Sequence, residues 1–251
     1  MKYKIFICLI PIVFICANLT FANEKQEPPE LKVIESYQED VTGDGHKEEI
    51  ELKGILFSPE SEYYRDIVAV VKNHENETWE INYGGGYEPI LQFIDFNHDK
   101  VNEIFYQSPT GGSGGLHHYK LHTLIQYNLV EIPLPKQDYV QGDFKENFEV
   151  EVQISPTKEP VVVDVNEHSE DYIEKGIYDE KGSLIKNTSP MVDPIAYFEP
   201  VFISDRKGYG LKSFQQISGI SHADQLGTIE SLWYYDRDKW IIVKTEWVPT
   251  N

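Results

Sequence analysis

Short runs of β-branched and aromatic residues, each bounded by Gly, Pro, Asn or Asp, recur along the chain at 50–57, 67–72, 78–83, 90–95 and 103–107. The same texture returns at 119–127, 148–154, 160–165, 173–178, 211–217, 229–235 and 239–247. Branched and aromatic side chains suit a pleated, half-buried surface and the bounding residues supply turns, so each run predicts a strand. No stretch of 12 or more residues carries apolar positions at a convincing helical period. The pattern predicts an all-β fold with little helix.

The strands fall into sets. Asp40 and Asp95 mark equivalent points 55 residues apart, and another 107 residues reaches Phe202, which opens a third overlay. Since 107 is close to twice 55, a further module without an acidic loop is expected to begin near residue 149. This spacing predicts repeated antiparallel sheets of about 55 residues, β-propeller-like, with four units nearly using up the chain. A β-sandwich-like or irregular array fits the same strand count.

Two acidic loops open the first two sets. Asp40-Val41-Thr42-Gly43-Asp44-Gly45-His46-Lys47-Glu48 and Asp95-Phe96-Asn97-His98-Asp99-Lys100-Val101-Asn102-Glu103 each carry oxygen-bearing side chains at positions 1, 3, 5 and 9. Alternation on a tightly turned backbone aims several oxygens at one point, as a hard cation such as calcium requires. The first loop offers the side chains of Asp40, Thr42, Asp44 and Glu48 and the His46 carbonyl. The second offers Asp95, Asn97, Asp99 and Glu103 and the Val101 carbonyl. Gly45 at position 6 permits the sharp turn. Lys100 stands there in the second loop and adds strain and positive charge, so that site is expected to be weaker or empty. In the third overlay Arg206 takes position 5, and a guanidinium cannot ligate a cation, so that loop is expected to be metal-free. The acidic residue at position 9 and the flanking strands argue against a helix–loop–helix calcium site, whose last glutamate stands at position 12.

The segment 40–45 with Glu48, and 95–99 with Glu103 and Ile104, resemble the FG-GAP/VCBS-type calcium-binding repeats of exported bacterial proteins and integrin-like propellers. More closely, the chain resembles a group of uncharacterised secreted proteins of Bacillus-type bacteria, through the glycine-rich turn 108–115 and the segment 220–227. The resemblance spans most of 32–248. It implies calcium-stabilised β-repeats and export, and no catalytic activity.

The start of the chain agrees with export. Lys2 and Lys4 precede an apolar run over 5–19, and Thr20-Phe21-Ala22 places small residues at the −3 and −1 positions, predicting a signal peptide over 1–22. Residues 23–31 read as a mobile lead-in and 32–251 as the β-repeat domain. Both cysteines, Cys8 and Cys16, fall in the signal, so stability must come from the core, bound metal or both. Cleavage leaves no stable membrane span.

The chain carries 42 acidic against 22 basic residues. Such a field repels nucleic acid and attracts cations or basic partners. DNA or RNA binding is therefore excluded as a function class.

Other groupings carry less chemistry. The run Gly111 to Gly115 lacks the Lys-Ser/Thr of a phosphate loop and precedes a strand, so it reads as a close-packed turn, as does Gly84 to Gly86. His117, His118 and His122 cluster without a suitably spaced acid for zinc. His222 and Asp224 are reminiscent of an acid–base pair, yet no activated nucleophile accompanies them. Trp233, Tyr234, Tyr235, Trp240 and Trp247 make the C-terminal end aromatic, with core packing as the default and a carbohydrate or peptide patch as the alternative. The sequence thus points to a secreted calcium-binding β-repeat protein that works as an extracellular or cell-surface interaction module with a protein or glycan partner. The alternative is an exported hydrolase acting on cell-wall or other polysaccharide.

Overall fold

The structure is a computed structural model and describes residues 31–250. The predicted signal at 1–22, and the lead-in up to residue 30, lie outside the described residues. Four consecutive antiparallel sheets make up the domain. The first holds β1 (Lys32–Glu39), β2 (Glu48–Leu56), β3 (Tyr63–Lys72) and β4 (Thr78–Tyr87). The second holds β5 (Ile90–Ile94), β6 (Glu103–Pro109), β7 (His117–Thr123) and the two-residue β8 (Val130–Glu131). The third is smaller, with β9 (Gln141–Lys145), β10 (Glu149–Gln153) and β11 (Val161–Asp164). The fourth holds the long strands β12 (Met191–Ser204), β13 (Gly208–Ser218), β14 (Gln225–Asp236) and β15 (Lys239–Pro249). Within every sheet the strands follow chain order as a meander. The predicted all-β class and the repetition of sheets are what the structure shows, and the sheet without an acidic loop is the third.

Three buried clusters join the sheets. One packs Ile50, Leu52, Val71 and Tyr83 of the first sheet on Leu91, Ile104 and Tyr106 of the second. Another packs Phe96, Phe105 and Leu121 on Phe198, Leu211 and Trp233 of the fourth. The last packs Phe144, Val150 and Val152 of the third sheet on Ile217 and Ile229, also of the fourth. β6 is therefore covered on both faces, Ile104 and Tyr106 toward the first sheet and Phe105 toward the fourth. That double cover explains why 103–108 is buried throughout instead of alternating. A ring of blades joins each sheet to its chain neighbours and the last to the first. The clusters instead run first to second, second to fourth, fourth to third.

Local departures from the sequence pattern have local causes. The expected strand at 173–178 gives way to helix α1 (Ser169–Glu174), with Glu170 and Asp171 in its first turn and Tyr172 fully buried. Gly176, at φ +70°, ends it: its N–H bonds the Ile173 carbonyl at 2.9 Å, and the Ile177 N–H bonds the Tyr172 carbonyl at 3.0 Å. The strand expected over 119–127 stops at Thr123, because Gln126 and Tyr127 take positive φ. β12 escaped the pattern because Pro194 and Pro200 interrupt it. It tolerates them as an edge strand with register shifts near Ile195. Among the described residues no helix is long and apolar enough to cross a membrane.

Candidate metal centre

The acidic loops connect the first two strands of the first and second sheets, and they share one construction. At position 1, Asp40 accepts the N–H groups of Gly43 at 2.7 Å and Gly45 at 2.9 Å. Asp95 accepts those of His98 at 2.6 Å and Lys100 at 3.1 Å. At position 5, Asp44 accepts the His46 N–H at 2.7 Å and Asp99 the Val101 N–H at 2.8 Å. Positions 4 and 6 are left-handed in both loops, at φ +78° and +86° for Gly43 and Gly45 and +66° and +75° for His98 and Lys100. The second loop thus reaches the same turn without glycine, at the steric cost a β-carbon brings to that region.

Position 9 anchors each loop from below. Glu48 and Glu103 are fully buried. Glu48 accepts the N–H groups of Val41 at 2.9 Å and Thr42 at 3.3 Å; Glu103 accepts those of Phe96 at 2.8 Å and Asn97 at 3.2 Å. Burial raises the Glu48 carboxyl above its ordinary range and pushes Glu103 up to about 8, against the pull of those N–H groups. Asp44 is held below its ordinary value, first by the His46 N–H.

Asp40, Thr42, Asp44 and Glu48 share one loop and Asp95, Asn97, Asp99 and Glu103 the other, although the three carboxylates of neither loop come within 4.8 Å of one another. Their oxygens are the hard donors calcium takes, so the donor chemistry of the first loop fits that ion. The second loop differs at position 3. The Asn97 amide nitrogen donates to Glu103 Oε1 at 2.7 Å and to Asp99 Oδ2 at 3.0 Å, placing a donor between the two acids. In the first loop the Thr42 hydroxyl makes only a 3.3 Å contact to Glu48 Oε1. The third overlay is a tight turn, Lys207 N–H to Ser204 carbonyl at 3.0 Å.

The loops also touch one another in series. A β-carbon built on Gly43 would lie 2.6 Å from Val101 Cγ2 of the second loop. One built on Gly208 of the third would lie 3.2 Å from the His98 imidazole. In both pairs position 4 of one loop faces position 7 of the next. His98 further stacks on Tyr234, centroids 4.8 Å apart, with the Lys207 ammonium 4.4 Å from that ring. Two neighbours of Asp44 had no signal in the sequence. Tyr127 donates its hydroxyl to Asp44 Oδ2 at 2.9 Å from 83 residues away, and His74 Nδ1 lies 3.6 Å from the same oxygen.

The remaining constellations are placed as follows. His122 is buried and held down to about 4 by that burial, while His118 is exposed and His117 lies against Tyr197. His222 pairs with Asp193 at 2.9 Å, whereas Asp224 accepts the Tyr172 hydroxyl at 2.6 Å and the Ile220 N–H at 3.0 Å. A cleft of about 660 Å³ beside that segment is lined by His168, Asp171, Lys175, Ser221 and Asp224. Gly111 closes on the Tyr87 ring in the turn after β6, whereas the turn expected at Gly84 to Gly86 is instead the end of strand β4, where Gly86 pairs with Tyr64 and closes on Ser108. Trp233 is buried with its indole N–H on Ser213 at 2.8 Å, and Trp240 donates to the Pro133 carbonyl at 2.9 Å.

Residues 138–248 match the family model described as the YybI C-terminal domain. That span covers the third and fourth sheets and lies outside both acidic loops. "Uncharacterized protein YybI" of Bacillus subtilis (strain 168) is 27% identical over 210 residues, covering 80% of this chain and 78% of that protein. No solved structure matches the chain. Both likenesses point to the same uncharacterised Bacillus protein, one to its C-terminal domain and one to most of its length.

Proposed function

We propose that this is an exported calcium-binding β-repeat protein, of the FG-GAP/VCBS type in its first two loops, that works outside the cell as an interaction module. The observation that carries the reading is the shared loop construction: the same acid positions, the same left-handed pair and the same buried glutamate, at 40–48 and again at 95–103. The first loop is the metal site and the second, with Asn97 between its acids, a weaker one. The metal's role is structural, fixing the turn that starts each sheet and neutralising its carboxylates. Extracellular sites of this class bind at roughly 0.1–1 mM. At about tenfold excess over that constant, linkage adds on the order of 1.4 kcal/mol. The cluster order supports an open array of sheets rather than a closed ring, with the first and third sheets at its ends. The partner is a protein or glycan at the cell surface.

The experiment is a thermal melt of the purified protein in chelator and across a calcium titration, with magnesium as control. A calcium-selective rise that is clearly reduced in Asp40→Ala supports the reading. Equal responses from wild type and Asp40→Ala overturn it.

A further inference from the structure

Beside the first loop, on the outer side of Asp44, a second set of donors converges from separate elements. His46 follows Asp44 in the loop, and His74 comes from the turn between β3 and β4. Ligand atoms of Asp44, His46 and His74 all lie within 4.8 Å of one another. His46 Nδ1 is 3.3 Å from Asp44 Oδ1, and His74 Nδ1 is 3.6 Å from Asp44 Oδ2. The second distance is beyond hydrogen-bond length. From these positions we infer that Asp44, His46 and His74 form a zinc site at the protein surface, which shares Asp44 with the oxygen-lined loop but draws its two other donors from imidazoles.

The spacing fits the ion. With zinc–donor bonds of about 2.0–2.2 Å, two ligand atoms at the corners of a tetrahedron stand about 3.3–3.6 Å apart. The two nitrogen–oxygen separations have this length, each to a different oxygen of the Asp44 carboxylate. Two imidazoles and one carboxylate also suit a borderline cation better than calcium, which prefers oxygen alone. The fourth corner faces solvent, since both histidines are exposed.

The supports are in place as well. Tyr127 fixes the Asp44 carboxylate by its 2.9 Å hydrogen bond and is itself stacked on Trp79, ring planes 11° apart. Asn73 holds the turn bearing His74 by accepting the N–H groups of Glu75 at 3.0 Å and Glu77 at 2.8 Å. The two imidazoles are stacked 4.4 Å apart between centroids with ring planes 29° apart, and the stack opens when both nitrogens turn onto one ion. Glu75, 4.0 Å from His74 Nε2, adds negative charge at the rim.

The test is calorimetric titration of the purified, calcium-free protein with zinc chloride. Wild type is expected to take up one zinc through this site, and His74→Ala and His46→Ala each to weaken it at least about 10-fold. His118→Ala removes an exposed histidine elsewhere and serves as control, keeping full affinity. Melting curves of the variants in chelator establish that each is folded. Absence of zinc binding by wild type, or equal affinity in the His46→Ala/His74→Ala double variant, overturns the inference. Calcium binding is separable: Glu48→Gln is expected to lose most of the calcium response and keep zinc, and His74→Ala to keep the calcium response and lose zinc. A wild type that ignores calcium yet loses zinc with His74 would defeat the calcium reading alone.

Discussion

Gly43 and Val101 are in contact across two loops, so closely that a single added methyl on Gly43 would lie 2.6 Å from Val101 Cγ2. The contact makes the first acidic loop part of the packing between the first two sheets. Gly43→Ala must strain a backbone at φ +78° and also displace Val101. It is expected to cost about 1–3 kcal/mol in urea unfolding. Gly45→Ala, at φ +86° with open space around it, carries only the backbone part, about 1–2 kcal/mol. In a Val101→Ala background the excess cost of Gly43→Ala should shrink. An unchanged excess would show that the contact is not the cause.

Lys100 holds the corresponding left-handed turn of the second loop at φ +75° with a side chain present. Lys100→Gly is expected to stabilise the protein by up to about 1 kcal/mol, offset in part by the greater freedom of the unfolded chain. It should also increase the calcium response that remains in Asp40→Ala, since a positive charge leaves the second loop. The same melts with and without calcium check both effects.

The buried Glu103 carboxyl gives the fold a pH dependence. In the folded protein it keeps its proton up to about pH 8, against an ordinary value of 4.5. Its favourable contribution is present below pH 4.5 and is lost as pH rises through about 8. In chelator, stability should therefore fall across that window. Glu103→Gln, which keeps the shape and never ionises, should flatten the fall. A slope of the same size in the variant would assign it to other groups.

The turn of the third overlay carries an acid without the loop around it. Asp205→Ala is expected to change stability by less than about 0.5 kcal/mol and to leave calcium-dependent melting as it is in wild type. Asp44→Ala, which removes a ligand common to both proposed metal sites, should lower the response to either ion.

Tyr172 reaches from α1 to Asp224 with a 2.6 Å hydrogen bond, pinning the 219–225 turn to the third sheet's core. Tyr172→Phe is expected to cost about 1.5–3 kcal/mol, as for a hydrogen bond to a charged group. Chemical denaturation measures it.

The repeated sheets and the loop boundaries were legible because their signals are local: branched residues between turn formers, and acids at alternate positions. Glu48 and Glu103 were legible as polar members of a loop but not as its buried anchors. The burial of Glu103 depends on β6 being covered by two other sheets, and Glu48, at the start of β2, is buried where the first sheet packs on the second. β12 was hidden by Pro194 and Pro200, which only an edge position accommodates. The helix at α1 was too short to show a period and was read through its branched neighbours as a strand. His74 and Tyr127 could not be connected with Asp44, since nothing in the intervening chain specifies how the sheets stack.

That stacking sets an order on synthesis. The first two sheets close their shared core with residues that emerge within one continuous stretch, so this half has what it needs early. The outward face of β6 does not: the Gln107 side chain waits for the Phe198 N–H, 91 residues later, and Phe105 for Trp233. Until the last strands leave the ribosome, Phe96, Phe105 and Leu121 present an uncovered apolar face. A chain truncated before β14 would keep that face permanently open, and a chaperone holding the half-made protein would find its grip there.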